Sequence, residues 1–181
     1  MTEDAERGKM SSIERIYVGI DPGASGGIAA IDHWKGSVGL RGLWAWKDEY
    51  TTSQIFHSFR TMDNPQDVWV QALIENVHAF PSDARSSAFK FGMNFGLWKG
   101  LLTAYHIKYT LMIPQQWMKQ YGEVKKDKRE RKNQLKGWAY QIAKSLDYDG
   151  KITLKTADAL LIANCLSNQY LPEGEQLWLK T

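Results

Sequence analysis

YVGIDPGASGGIAAID, residues 17–32, is the stretch on which the reading of this chain turns. An apolar, β-branched run ends on Asp21; a proline and a loop holding Gly23, Gly26 and Gly27 follow; then a second apolar run begins. Runs of this kind separated by glycine-bearing turns form neighbouring strands. A strand interior that closes on a carboxylate, beside a turn almost bare of side chains, asks for a chemical reason.

Outward from that stretch, RIYVGI (15–20), GIAAID (27–32) and VGLRGLWAW (38–46) read as an antiparallel meander. TTSQIFHSFRTM (51–62) carries apolar residues at helical spacing after a Thr/Ser start. DVWVQALIEN (67–76) is a strand that again ends on an acid, Glu75. A long helix from about 83 to 105 follows, then a short strand at 107–113 stopped by Pro114. A basic helix reaching to about 146, a turn at 147–150 and a final helix over 155–170 complete the order β-β-β-α-β-α-β-α-α. Residues 1–14, polar and acidic, read as a disordered tail, and 15–181 as a single domain.

At 181 residues and 43% hydrophobic, the chain can bury one sizeable core but not two full domains. No apolar run reaches the roughly 18 residues a bilayer span requires, and no signal sequence opens the chain, so a cytoplasmic, non-membrane protein is expected. Cys165 is the single cysteine, which leaves no internal disulfide framework; the four histidines show no metal-ligand spacing with it. Most of the eight tryptophans are expected in the core, with base stacking as the alternative use of their faces. VKKDKRERK (124–132) gathers Lys125, Lys126, Lys128, Arg129, Arg131 and Lys132 in one block, which reads either as a solvated helix face or as a phosphate-binding patch.

Three acids stand apart: Asp21 at the end of the first strand, Glu75 at the end of the fourth, and Asp158 in the first turn of the last helix among Ala and Leu. Each has a plain structural use, in a turn, at a strand end or at a helix N-terminus. Together they imply more, because buried carboxylates cost desolvation energy unless a cation neutralises them. Oxygen ligands without Cys or His suit Mg²⁺, with Mn²⁺ as a substitute, and two such ions about 3.5–4 Å apart catalyse phosphodiester cleavage. The acids therefore point to a nuclease.

GIDPGASGGIA (19–29), ALIENVHAFP (72–81), FKFGMNFGLWKG (89–100) and KTADALLIA (155–163), in this order and spacing, resemble the RuvC-like Holliday junction resolvases of the RNase H-like superfamily. The resemblance runs through most of residues 15–166, and the segment 113–139, IPQQWMKQYGEVKKDKRERKNQLKGWA, is similar to phage versions of the family. It implies an α/β, RNase H-like fold, a five-stranded mixed sheet flanked by helices. It also implies a homodimer that resolves four-way DNA junctions by symmetric, Mg²⁺-dependent hydrolysis, in the host cytoplasm if phage-encoded. Asp21 would be shared by two metals, with Glu75 on one and Asp158 on the other. The GASGG turn would let a phosphodiester approach, unless its glycines serve hairpin geometry alone.

One departure matters. Cellular members of the family commonly place a histidine or acid three residues before the final aspartate, where this chain has Lys155. A protonated lysine binds no metal, so Lys155 either contacts the scissile phosphate or attacking water, or is a surface lysine at a helix start. Phe80, just after Glu75, is either a wedge into the junction, a place His78 could also fill, or core beneath the long helix. Gly92, Gly96 and Gly100 recur on one helix face, implying close approach of the sheet or of a second subunit. The alternatives to a resolvase are a nuclease for forks, flaps or RNA-containing substrates and a junction-binding protein that does not cut. Actin-like ATPases and sugar kinases share a similar turn but need a second domain, for which this length leaves no room.

Overall fold

Alternation of apolar side chains builds the centre of the molecule. The computed structural model describes residues 13–60, 68–77 and 84–171. Its strands are β1 (Glu14–Asp21), β2 (Gly27–Trp34), β3 (Ser37–Ala45), β4 (Val68–Glu75) and β5 (Lys108–Met112). They form one five-stranded sheet in the order β3-β2-β1-β4-β5. β1, β2 and β3 make the expected antiparallel meander, whereas β4 runs parallel to β1 and β5 parallel to β4. The helices are α1 (Glu49–Arg60), α2 (Arg85–Ala104), α3 (Pro114–Met118), α4 (Lys128–Ser145) and α5 (Ala157–Asn168).

Successive strand residues face opposite sides of a sheet. Ile16, Val18 and Ile20 of β1, with Val70, Ala72 and Ile74 of β4, therefore pack with Phe56, Phe59, Trp98 and Leu102 of α1 and α2. Tyr17 and Leu73 turn the other way, into a second core with Ala139, Ile142, Leu160 and Cys165 of α4 and α5. The sheet is thus covered on both faces.

α5 sits unusually close to β1. A Cβ on Gly19 would lie 2.2 Å from both the Ala159 carbonyl oxygen and the Ala163 nitrogen, so only glycine admits the helix backbone at this depth. The consequence is positional: the first turn of α5, with Asp158, is brought against the end of β1, with Asp21.

Several sequence expectations shift. β1 starts at Glu14, which is buried and ion-paired with Arg41, so the ordered domain takes in a residue assigned to the tail. α1 begins at Glu49, two residues early, because Asp48 caps it by accepting from the Thr51 N–H at 2.7 Å. The basic block is not one helix: Lys125 and Lys126 lie in a loop, and Asp127 caps α4 by accepting from the N–H groups of Arg129 and Glu130. The last helix is shorter than 155–170 and leaves Lys155 in the preceding turn. Of the tryptophans, Trp98 and Trp117 are fully buried, whereas Trp44, Trp46, Trp69 and Trp138 are half-buried and Trp34 is exposed. Gly92, Gly96 and Gly100 do not press on the sheet, since a Cβ on any of them would meet nothing within 4 Å. Phe80 and His78 lie outside the described residues.

Gly19→Ala tests the close approach. Both clashing atoms are backbone, so the helix must move as a unit, and the substitution should cost about 2–3 kcal/mol in denaturant unfolding. A loss below about 0.5 kcal/mol would show that α5 is not held at this distance.

Candidate active site

The parallel register sets two carboxylates side by side. Ile20 of β1 pairs with Ile74 of β4, so Asp21 and Glu75 close adjacent strands at the same level. By the same alternation that turns Tyr17 and Leu73 toward α5, both acids project to that face. Asp158 reaches them from the first turn of α5.

The loop after Asp21 is shaped around its carboxylate. The Gly23 N–H donates to Asp21 Oδ1 at 2.9 Å, and the Gly26 N–H to the Gly23 carbonyl at 2.9 Å. A Cβ on Gly26 would lie 2.1 Å from the Asp21 carbonyl oxygen, and one on Gly27 2.5 Å from the Trp44 carbonyl oxygen. These two glycines are therefore required by the turn itself. Asn94 of α2 pins the turn from outside, donating to the Pro22 carbonyl at 2.6 Å.

A cavity of about 190 Å³ opens above this turn, lined by Asp21, Ser25, Lys132, Lys155 and Asp158 among others. Lys155 thus stands at the rim of the acid site, as does Lys132 of the basic block. Glu75 does not line the cavity. It is buried behind, where the Trp117 indole N–H donates to its Oε1 at 3.0 Å.

The three acids burden one another. Burial, and then repulsion from Asp21 and Asp158, push Glu75 up to about 8, against the lowering effect of the Trp117 hydrogen bond. Burial and then Asp21 raise Asp158 to about 7, opposed by Lys132 and Arg131. Burial also raises Asp21, opposed by the Gly23 N–H and Lys132. Among the described residues none of the three acids has an ion-pair partner within 4 Å. This is a buried cluster of carboxylates without an ion-pair partner, the environment in which a cation is favoured.

The donor set is hard oxygen and fits Mg²⁺ or Mn²⁺. Among the described residues, however, no three His, Cys, Asp or Glu side chains are drawn together as a ready-made cage. The fit is that of an ion that keeps several waters and takes its remaining ligands from substrate phosphates, as Mg²⁺ does.

Sequence reasoning identified Asp21, Glu75, Asp158 and Lys155, and the structure brings all four to one region. It separates the basic block by role: Arg131 and Lys132 act on the acids, Lys128 and Arg129 line an adjoining cavity, and Lys125 and Lys126 are exposed in the loop. Trp117 and Asn94 were not recognised as supporting groups. Each lies within a motif of the resemblance, but a bond from Trp117 to Glu75 spans 42 positions and leaves no local pattern.

Comparison with solved structures gives the fold its name. The chain is similar to Thermus thermophilus RuvC in complex with a Holliday junction substrate, with a TM-score of 0.58 and 16% identity, covering 87% of this chain and 93% of that one. It is similar also to a second Thermus thermophilus RuvC structure, with a TM-score of 0.53 and 18% identity over the same shares. The fold is therefore RuvC-like. No protein-family model matches the chain, and no curated protein matches it in sequence.

The acid cluster has a thermodynamic signature. A carboxylate whose folded pKa lies above its unfolded value binds more protons when folded, so its contribution is fully present below the unfolded pKa and is lost as pH rises through the folded one. For Glu75 the window runs from its ordinary 4.5 to about 8. The metal-free protein should thus lose thermal stability between those pH values. Glu75→Gln, which keeps an acceptor for Trp117 but no charge, should raise the melting temperature by about 5 °C or more at pH 8 and change it little at pH 4.5. An equal shift at both pH values would contradict the repulsion.

Proposed function

We propose that this chain is a metal-dependent, structure-specific endodeoxyribonuclease that resolves four-way DNA junctions by hydrolysing phosphodiester bonds. The observation that carries the reading is the carboxylate cluster of Asp21, Glu75 and Asp158, of which Asp21 and Asp158 line a cavity rimmed by Lys132 and Lys155. The RuvC-like fold supports it, and one of the similar structures holds a Holliday junction.

In this reading Asp21, Glu75 and Asp158 hold Mg²⁺, with Mn²⁺ as a substitute. The bound metal supplies an activated water and stabilises the departing oxygen of the phosphodiester. The chain's own groups do the rest. Lys132 and Lys155 attract the phosphate to the cavity and offset its charge. Trp117 fixes the rotamer of Glu75, and Asn94 fixes the turn that carries Asp21. Lys125, Lys126, Lys128, Arg129 and Arg131 contribute further phosphate contacts.

Symmetric cutting needs two such sites, and a homodimer supplies them. The exposed face of α2 supports this assembly, with Gly92, Gly96 and Gly100 open and Phe89 and Met93 largely exposed beside them. The likeness of 113–139 to phage versions supports a phage-type enzyme working in the host cytoplasm. Among the described residues no helix is long and apolar enough to cross a membrane.

The lysine at position 155 favours one competing reading, a protein that binds junctions without cutting them. A panel of a synthetic four-way junction, a replication fork and an RNA–DNA hybrid, each with and without Mg²⁺, separates the possibilities. Paired symmetric nicks in the junction that require the metal are expected. Binding without cleavage would establish the non-cutting reading, and cleavage of the fork or hybrid in preference would reassign the substrate. Asp21→Asn, Glu75→Gln and Asp158→Asn should each abolish cleavage while junction binding persists. Loss of binding in all three would point to a structural role instead.

A further inference from the structure

The acid cavity does not end at Lys132. A second cavity of about 430 Å³ shares Lys132 and Leu154 with it and adds Lys128 and Arg129. A third, of about 480 Å³, shares Asn133 with the second and adds Lys136, Gly137 and Tyr140 of α4, facing Lys151. Through these shared residues the three adjoin as one groove between α4 and the segment that leads into α5.

Beyond the acid cavity its lining is cationic. Lys128, Lys132 and Lys136 recur every four residues, on one face of α4. All three are exposed, as is Lys151 on the opposite wall. The single carboxylate in the second cavity, Asp127, already accepts from two backbone N–H groups at the start of α4.

Two features of the groove stand outside the core. Gly137 stands inside α4, where glycine is disfavoured against alanine, yet a Cβ there would meet nothing within 4 Å. Tyr140, one turn beyond Lys136, is 60% exposed at the far end. A floor without a side chain, flanked by lysines and closed by a phenol, suits the close passage of a polyanion.

We propose that this groove binds the sugar-phosphate backbone of one duplex arm of the DNA and leads that strand away from the acid cavity. The proposal rests on the nuclease reading for its direction. From Lys132 to Tyr140 α4 rises about 12 Å at 1.5 Å per residue, which measured along a duplex axis matches the rise of three to four nucleotides of one strand at about 3.4 Å each. Lys136 and Lys151 neutralise phosphates from opposite walls. Gly137 lets the backbone approach α4, and the Tyr140 hydroxyl donates to the outermost phosphate.

The test combines salt dependence with neutral backbone linkages. Lys136→Ala/Lys151→Ala should reduce the slope of log K against log salt for junction binding by about 1.8, two contacts at about 0.9 each. Methylphosphonate linkages placed singly at the third or fourth phosphate on either side of the cut should weaken wild-type binding several-fold on one side only. They should have no further effect on the double variant, and Tyr140→Phe should lose the response at the outermost position alone. A double variant with wild-type slope, or neutral linkages that weaken both proteins equally, would overturn the groove while leaving the nuclease reading intact. A wild-type protein that shows the coupled loss yet never cuts with Mg²⁺ would keep the groove and remove the nuclease.

Discussion

The contact between Gly19 and the backbone of α5 is the constraint on which the site depends. Helices rest on sheets at a distance set by the side chains between them, and here one position has none. With a Cβ excluded by the Ala159 carbonyl and the Ala163 nitrogen, α5 settles against β1 and carries Asp158 to the strand end that holds Asp21. Parallel pairing of β1 with β4 adds Glu75 on the next strand. Three acids from distant parts of the chain thus become neighbours through one glycine and one strand register, before any side chain of the site makes a bond.

Once assembled, the acids oppose the fold that assembles them. Desolvation and mutual repulsion hold Glu75 and Asp158 near neutrality in their titration, and no ion pair within 4 Å relieves them among the described residues. Proteins carry such groupings where charge is to be met by something brought from outside. The lysines are arranged around the cluster rather than bonded to it. Lys132 offsets part of the acids' charge without ion-pairing to them, and Lys155 stands beside it at the rim, which leaves the oxygens available to a cation and the lysines to a phosphate. Trp117 restricts Glu75 by one hydrogen bond, and Asn94 restricts the turn after Asp21 by donating to the Pro22 and Gly23 carbonyls.

The sheet and its helices were legible because their signals are local. Alternation marked β1 and β2, apolar spacing marked α1, and acids at two strand ends marked the site. What escaped was decided by contacts between distant residues. The bare turn reads from sequence as a passage for substrate, but Gly26 and Gly27 are needed by the Asp21 and Trp44 backbones that press on them. The repeat of Gly92, Gly96 and Gly100 reads as close approach of the sheet or of a second subunit, and the sheet lies on the other side of α2. The basic block reads as one patch, but Asp127 breaks it by capping α4, which divides its cations between the acids, the groove and a loop. Lys155 reads as a departure from a ligand pattern; the fold gives it a place at the rim that no metal ligand is required to hold.

The most direct measurement is the position of the metal itself. Crystals of the protein grown with Mn²⁺ and a junction whose scissile linkages resist hydrolysis should show anomalous scattering within about 2.0–2.3 Å of Asp21 and of at least one of Glu75 and Asp158. Water and a phosphate oxygen should complete the ion's shell, with Lys132 or Lys155 against the same phosphate. Anomalous peaks confined to other parts of the surface, with the three carboxylates bonded to one another through retained protons, would contradict the account.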